Sequence, residues 1–472
     1  MSTIAQDGTN NLDAATIYGG PTKRFFVSML TRDIELNDAI LDLVDNCVDG
    51  AIRQRKARLG EAEPFKDYKA SISLSSTEFR ISDNCGGIPK DYIDDAFSLG
   101  RPNIKKDGDL PTIGMYGIGM KRAIFKIGTS ATVQSNSPDG FFQVAYSATW
   151  LDPDNDAWEL PISKAAAEAA DFGVAIVIDQ VKADIGLQFE NDAFVNKLKS
   201  ELSEHFGYLM QRGFQIEVNG ELLRPKTLLL FNSNHSDDSE IRAFDFEALY
   251  DEVSIKVTVG LFRGLAKEIE IDDETESPKD KDSAGVSVIC NDRVILIGDQ
   301  TIKTGWGDGT VPRYHPQFRA IAGLIIFSSN NANKLPISTT KRGLDAGSEV
   351  YLLARKAAME GLKTFTDFTN KWKGIEEETT SFFDATRRTD VKTAISLARS
   401  SGTAVRGMAD AKKYVPVLPV PSNKNPRKRI SFMREEGSIK ALSKYLFDDA
   451  SQHPSLVGGE CFDRILGEAN KK

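Results

Sequence analysis

Residues 36–51 read LNDAILDLVDNCVDGA, with aspartates at 38, 42, 45 and 49. Their spacings of four, three and four put them on one stripe of a helix. Like charges so placed cost a helix roughly 0.2–0.5 kcal/mol per pair. Either water screens the stripe or a cation sits against it. Asp42 and Asn46 lie one turn apart. A carboxylate there would polarise a water as general base, and an amide oxygen is a hard ligand for Mg²⁺. A solvated acidic face explains the same spacing.

Two further stretches carry chemistry only in combination. In ISDNCGGIP (81–89) a strand ends at Asp83, and Gly86 and Gly87 follow. The aspartate would accept from a base amino group, and the glycines permit close backbone approach. An ordinary Asp-Asn-Gly turn reads the same way. In TIGMYGIGMKRAIFKIG (112–128), Gly114, Gly117 and Gly119 precede a helix starting near Met120. Such a loop offers free N–H groups and a positive dipole end to phosphate, and Lys121 adds a point charge. The Walker pattern fails because Met120 stands where lysine is required, and G-x-G-x-x-G fails too.

The elements that must position these residues follow from patterning. Residues 21–60 read as helical, YKASISLSS and EFRISDN as strands, and GTSATVQSN, GFFQVAYSATW and GVAIVIDQV as more strands. FENDAFVNKLKSELSEHFGYLMQ predicts a helix, and FQIEVNGELL a hairpin with an Asn-Gly turn. A second α+β unit has SIKVTVGLFR, VSVICNDRVILIG and AIAGLIIFSSN as strands, a charged loop after Ile271, and one long helix from SEVYLLARK onward. Together they predict an N-terminal arm (1–20), a first α+β domain (21–183), a second (184–375) and a mostly helical tail (376–472).

Composition narrows the classes. The chain has 472 residues, 40% hydrophobic and 27% charged, with net charge −9. That is ordinary for a globular protein and argues against a whole-chain nucleic-acid binder. A basic region between Val405 and Leu446, including Arg406, Lys424 and Arg427–Arg429, is a local exception that DNA would fit. No apolar run is long enough to span a bilayer, and the N-terminus has no secretion pattern, so a cytoplasmic protein without a membrane partner is expected. Four cysteines without a CxxC pair argue against a disulfide or zinc framework, and four scattered histidines against histidine catalysis. DPDND (152–156) opens like a calcium loop but has Ala157 at position six and Ser163 at position twelve, so it is rejected.

The three stretches in this order resemble the GHKL ATPase superfamily, which includes DNA gyrase B subunits, heat-shock chaperones, sensor histidine kinases, MutL and MORC proteins. LVDNCVDGA resembles the first box, ISDNCGGI the second and IGMYGIGMK the third. FGVAIVI (172–178) is similar to the strand that closes the site. KLPISTTKRGLD (334–345) resembles the transducer loop whose lysine, here Lys341, reaches the ATP γ-phosphate. The resemblance implies a Bergerat-fold ATP-binding α/β sandwich, a transducer domain and cofactors ATP and Mg²⁺. It implies Asp42 as base and Asn46 as metal ligand. It places Asp49, Asp83, Gly87, Ile88, Gly114, Tyr116, Gly117, Ile118, Gly119, Met120 and Lys121 around the nucleotide. Asp42 replaces the usual glutamate, one methylene shorter, which implies slow hydrolysis, and Val174 stands where threonine is common.

The layout most resembles MutL- and MORC-like proteins. It implies a homodimer formed on ATP binding through the N-terminal domains, with the arm and Tyr18 crossing over. It also implies a DNA- or protein-bound partner, encoded in the same gene cluster, in phage defence or DNA processing. A histidine kinase would need an acceptor histidine ahead of the ATP domain, and none precedes His205. A chaperone-like ATPase and a non-hydrolysing ATP-binding scaffold are the competing readings.

Overall fold

The computed structural model describes residues 22–471 except 33, 99, 101–109, 115–116, 153–154, 156, 168–170, 234–240, 268–269, 272–283, 339–340, 342, 385, 391–401, 406–407, 409 and 422–429. The arm with Tyr18, Tyr116, most of residues 98–120, the charged loop after Ile271, and Arg406, Lys424 and Arg427–Arg429 lie outside the described residues.

The first unit runs α1 (Lys23–Arg32), α2 (Leu36–Gln54), β1 (Lys69–Leu74), β2 (Phe79–Asp83), α3 (Ile93–Phe97), α4 (Gly119–Ile127), β3 (Ala131–Ser137) and β4 (Gly140–Tyr146). It continues with α5 (Ala148–Leu151), β5 (Ile162–Ala165), β6 (Gly173–Ile178), α6 (Ala183–Phe189), α7 (Asp192–His205), α8 (Gly207–Met210), β7 (Gln215–Val218) and β8 (Glu221–Leu222). Its strands form one sheet in the order β5-β4-β3-β6-β2-β1-β7-β8. All neighbours are antiparallel except β1 and β7. In β1, alternate residues Ala70, Ile72 and Leu74 are buried, as the period-two pattern predicts.

Helix α2 buries Ala39, Ile40, Leu43, Val44 and Cys47 in the same core. Lys23 ties α1 down. Its ammonium donates to the carbonyls of Trp150 and Ala157 and lies 3.6 Å from the Trp150 ring centre.

The second unit comprises β9 (Leu229–Ser233), β10 (Phe244–Tyr250), β11 (Val253–Leu261), β12 (Gly285–Cys290), β13 (Arg293–Asp299), β14 (Ile321–Ser328) and the long α9 (Glu349–Lys371). After it come α10 (Thr380–Asp384), β15 (Thr386–Asp390), β16 (Thr403–Ala404), β17 (Lys412–Tyr414), α11 (Glu436–Phe447) and α12 (Pro454–Ala469). The sheet order is β13-β12-β14-β11-β10-β17-β16, and β15 pairs with β9. Helix α9 packs its face of Val350, Ala354, Ala358, Leu362 and Phe365 on this sheet. The chain is thus α+β, as its patterning predicts.

Two expected boundaries move. The hairpin β7–β8 joins the first sheet through the parallel pairing of β1 with β7, so that sheet passes residue 183 and ends at Leu222. Likewise β16 and β17 complete the second sheet although they follow residue 376. Both corrections concern short strands whose partners are distant in sequence, which local periodicity cannot register.

The units meet where α7 lies against β13. There the His205 Nδ1–H donates to the Val294 carbonyl at 2.6 Å. Burial, and then the Arg293 charge, depress the His205 pKa to about 3. A depressed histidine adds stability that is present above its unfolded value of roughly 6.5 and is lost as pH falls toward the folded value. Urea unfolding across that window should show the wild type losing on the order of 4 kcal/mol more than His205→Asn between pH 6.5 and 3. Parallel curves for the two proteins would refute a buried neutral imidazole.

Candidate functional site

The stripe on α2 is not a solvated face. Asp42, Asp45 and Asp49 are buried, Asp45 completely, whereas Asn46 is exposed on the wall of a cavity. The cavity lies between α2, the ends of β2 and β6, and the start of α4. Asp42, Asn46, Asp49, Asp83, Gly87 and Ile88 line it. So do Gly114, Gly117, Ile118, Gly119, Met120 and Lys121. The structure therefore brings together every candidate from the three stretches that it describes.

At one end, β2 delivers Asp83. Its Oδ1 accepts from the backbone N–H of Cys85 at 2.8 Å and of Val174 at 3.3 Å. Burial pushes this carboxyl above the usual range, against those hydrogen bonds and one from the Cys47 thiol. Burial likewise raises the Cys47 and Cys85 thiols, so neutral S–H groups surround Asp83. Close approach explains two glycines. A Cβ on Gly173 would sit 1.9 Å from the Asp83 carbonyl oxygen, and one on Gly87, with φ +71°, would sit 2.2 Å from that of Asn136.

At the other end, α4 begins hard against α2. A Cβ on Gly119 would lie only 3.3 Å from that of Asp42. Lys121 then turns away from the expected phosphate position. Its ammonium donates to the carbonyls of Ala96 at 2.7 Å and of Gly117. The next residue, Arg122, donates instead from Nη2 to Asp42 Oδ2. Asp49 braces the start of the glycine loop, its two oxygens accepting the N–H groups of Ile113 and Gly114, each at 2.9 Å.

The second unit supplies the remaining charges. Lys341, in the left-handed region with φ +56°, places Nζ 2.8 Å from Asp45 Oδ2 and 3.4 Å from Asp42 Oδ1. Burial alone would lower its pKa; Asp45, Asp42 and Asp49 outweigh it and hold the ammonium above the ordinary lysine value. Arg293 Nε lies 3.0 Å from Asp45 Oδ1, and its guanidinium covers the Phe206 ring at 4.3 Å. Beside it on the same turn, Asn291 donates to the carbonyls of Thr112 at 3.2 Å and Ser329 at 3.0 Å. One hairpin tip therefore touches both α2 and the start of the glycine loop. The like charges on the stripe are answered by three cations, one from α4 and two from the second unit.

Residues 34–172 match the family described as Histidine kinase-, DNA gyrase B-, and HSP90-like ATPase. This stretch is a GHKL ATPase domain. No curated protein matches the chain. The GHKL family is one of ATP-binding, generally ATP-hydrolysing domains, which supports ATP binding by this stretch. The cavity's chemistry suits such a ligand, with an acceptor at Asp83, apolar walls from Ile81, Val174 and Ile176, and cations at the far end.

Sequence reading of this GHKL domain missed Arg122, Asp45 and Arg293, and also Arg53, whose guanidinium lies 5.6 Å from the Tyr92 ring on the cavity wall. The like-charge spacing of Asp42 and Asp45 was the one signal, since it left either screening water or a cation to answer it.

Proposed function

We propose that this chain is a Mg²⁺-dependent ATP switch that hydrolyses ATP slowly and dimerises while ATP is bound. The observation that carries the proposal is the convergence of Asp42, Arg122 and Lys341, from three separate elements, at one end of a GHKL cavity whose other end is Asp83. Adenine would present its amino group to Asp83, and the triphosphate would run toward Asp42. Asp42 would orient and deprotonate the attacking water.

Asn46 fits a magnesium role. Its amide stands on the cavity wall one turn from Asp42, and among the described residues no group of three or more His, Cys, Asp or Glu makes a cage of its own. That matches an ion that takes most ligands from phosphates and water. Bound there, Mg²⁺ would neutralise phosphate charge.

Lys341 would contact a γ-phosphate and lose that contact on hydrolysis, which would report the nucleotide state to the second unit as in a transducer domain. Residues 376–472 would report closure to a partner. Exposed Phe432, Met433, Tyr445 and Ile465 favour a protein surface there. Of its described basic side chains, Lys413 pairs with Glu360, Lys440 with Glu436 and Lys444 with Asp448. No described helix is long and apolar enough to cross a membrane.

The test is the solution mass of the purified chain with and without a non-hydrolysable ATP analogue and Mg²⁺. A monomer that becomes a dimer only with the analogue is expected. An unchanged mass, with analogue binding confirmed by titration, would refute ATP-driven dimerisation.

A further inference from the structure

We infer that Arg122 is a second cation for the terminal phosphate of the nucleotide, kept on Asp42 until that phosphate arrives. The inference rests on the ATP reading above and adds a residue to it.

Three observations carry it. Arg122 lines the cavity, yet its side chain is only 12% exposed. Its Nη2 is bound to Asp42, while its Nε is buried and has no hydrogen-bond partner among the described residues. A buried guanidinium N–H without an acceptor is an unfilled requirement. An incoming phosphate oxygen at the cavity wall would fill it, and guanidinium geometry suits two such oxygens at once.

The position along the nucleotide follows from Lys341. Its Nζ stands 3.4 Å from the other oxygen of the same Asp42 carboxylate. Arg122 and Lys341 therefore flank one anion, which occupies the place where two cations would grip a phosphate. That place is at the catalytic carboxylate, hence at the terminal phosphate and not the inner ones. Lys121, the lysine at the start of α4, already donates to the carbonyls of Ala96 and Gly117, so the arginine beside it is the cation that α4 turns toward the cavity end.

The arrangement has a consequence for turnover. As it stands, Asp42 Oδ2 accepts from Arg122, and Oδ1 faces Lys341. With one oxygen bound to Arg122 and the other facing Lys341, the carboxylate is not free to accept from a water. Transfer of both cations to the γ-phosphate frees the carboxylate at the moment a substrate is present. ADP has no γ-phosphate to take them, so with ADP Asp42 remains held.

The experiment is calorimetric titration of the full chain with ADP and with a non-hydrolysable ATP analogue, each with Mg²⁺. In Arg122→Gln the analogue should bind about 10- to 100-fold more weakly, the loss of one charge-assisted contact, while ADP changes less than about twofold. Arg122→Lys should recover part of the difference, since an ammonium supplies the charge without the fork.

The double variant Arg122→Gln with Asp42→Asn removes both members of the pair and guards against a buried carboxylate left without its partner. It too should lose the preference for analogue over ADP. Equal weakening of both nucleotides would show that Arg122 shapes the pocket or holds inner phosphates, and unchanged affinities would show that it is only a partner of Asp42. Either result overturns the inference. A wild type that binds neither nucleotide would remove the ATP reading itself, and the inference with it.

Discussion

Asp42→Asn is expected to lower phosphate release by about 10²- to 10⁴-fold, the usual contribution of a positioned general base, while nucleotide still binds. The amide is nearly the same size, so Gly119, whose Cβ would come within 3.3 Å of this side chain, keeps its place. What changes is charge. Asparagine cannot take a proton from water. It also holds Arg122 and Lys341 less firmly than a carboxylate does, and Lys341 keeps Asp45 at 2.8 Å as its partner. Analogue affinity should therefore stay level or rise, because two cations are cheaper to transfer to phosphate. Loss of turnover with retained binding separates a catalytic carboxylate from a structural one. A rate equal to wild type and well above background would place the base elsewhere. Rates indistinguishable from background in both proteins would favour the non-hydrolysing scaffold. Sensitive phosphate-release measurements on both proteins, with affinities from titration, decide among these outcomes.

How much of this was legible in the sequence depends on how local each feature is. The helix carrying Asp42 and Asn46, the strand ending at Asp83 and the glycine loop before α4 were all readable, because each is written in consecutive residues with a steric or dipolar reason. Their convergence on one cavity was implied by resemblance to a family and then appears in the geometry. Lys341 was also named, although 296 residues separate it from Asp45. The sequence could not say that its resting partner would be Asp45.

What the sequence left unassigned has a common cause. Lys121 and Arg122 are adjacent, and residue type alone favours the lysine as the phosphate cation. Both line the cavity, and which of them reaches Asp42 depends on the rotation of α4 against α2, fixed by the Gly119 contact and by the burial of Ala123, Ile124 and Ile127. Asp45 was left without a role because the cations that answer it sit on a hairpin and a loop of another unit. The boundary at residue 183 moved for a similar reason, since β7 finds its parallel partner β1 146 residues back in the chain, at Lys69↔Gln215.

Asp45 gives the second large effect, and its sign reverses between two measurements. The side chain is fully buried and holds Lys341 at 2.8 Å and Arg293 at 3.0 Å. Replacing it with asparagine leaves two buried cations sharing a neutral amide. Breaking a buried pair in this way costs about 3–5 kcal/mol, because the remaining charge is not solvated. Arg293 keeps only the Phe206 ring at 4.3 Å, and Lys341 keeps Asp42 at 3.4 Å. The thermal midpoint of nucleotide-free Asp45→Asn should accordingly fall by roughly 10 °C.

Nucleotide binding should move the other way. In the wild type, Lys341 must leave Asp45 to reach a γ-phosphate, and that separation is charged against binding. In the variant it has already been made. The ATP analogue with Mg²⁺ should therefore bind more tightly to Asp45→Asn than to wild type, and should restore more of its thermal stability than mass action restores in wild type at equal saturation. ADP, which offers Lys341 nothing, should restore no such excess. A variant that is less stable and also binds the analogue more weakly would mean that Asp45 only holds the two units together. A variant as stable as wild type would mean that the Asp45 pairs contribute nothing to their docking. Lower stability with higher analogue affinity is the signature of a lysine whose resting partner competes with the phosphate for the same charge.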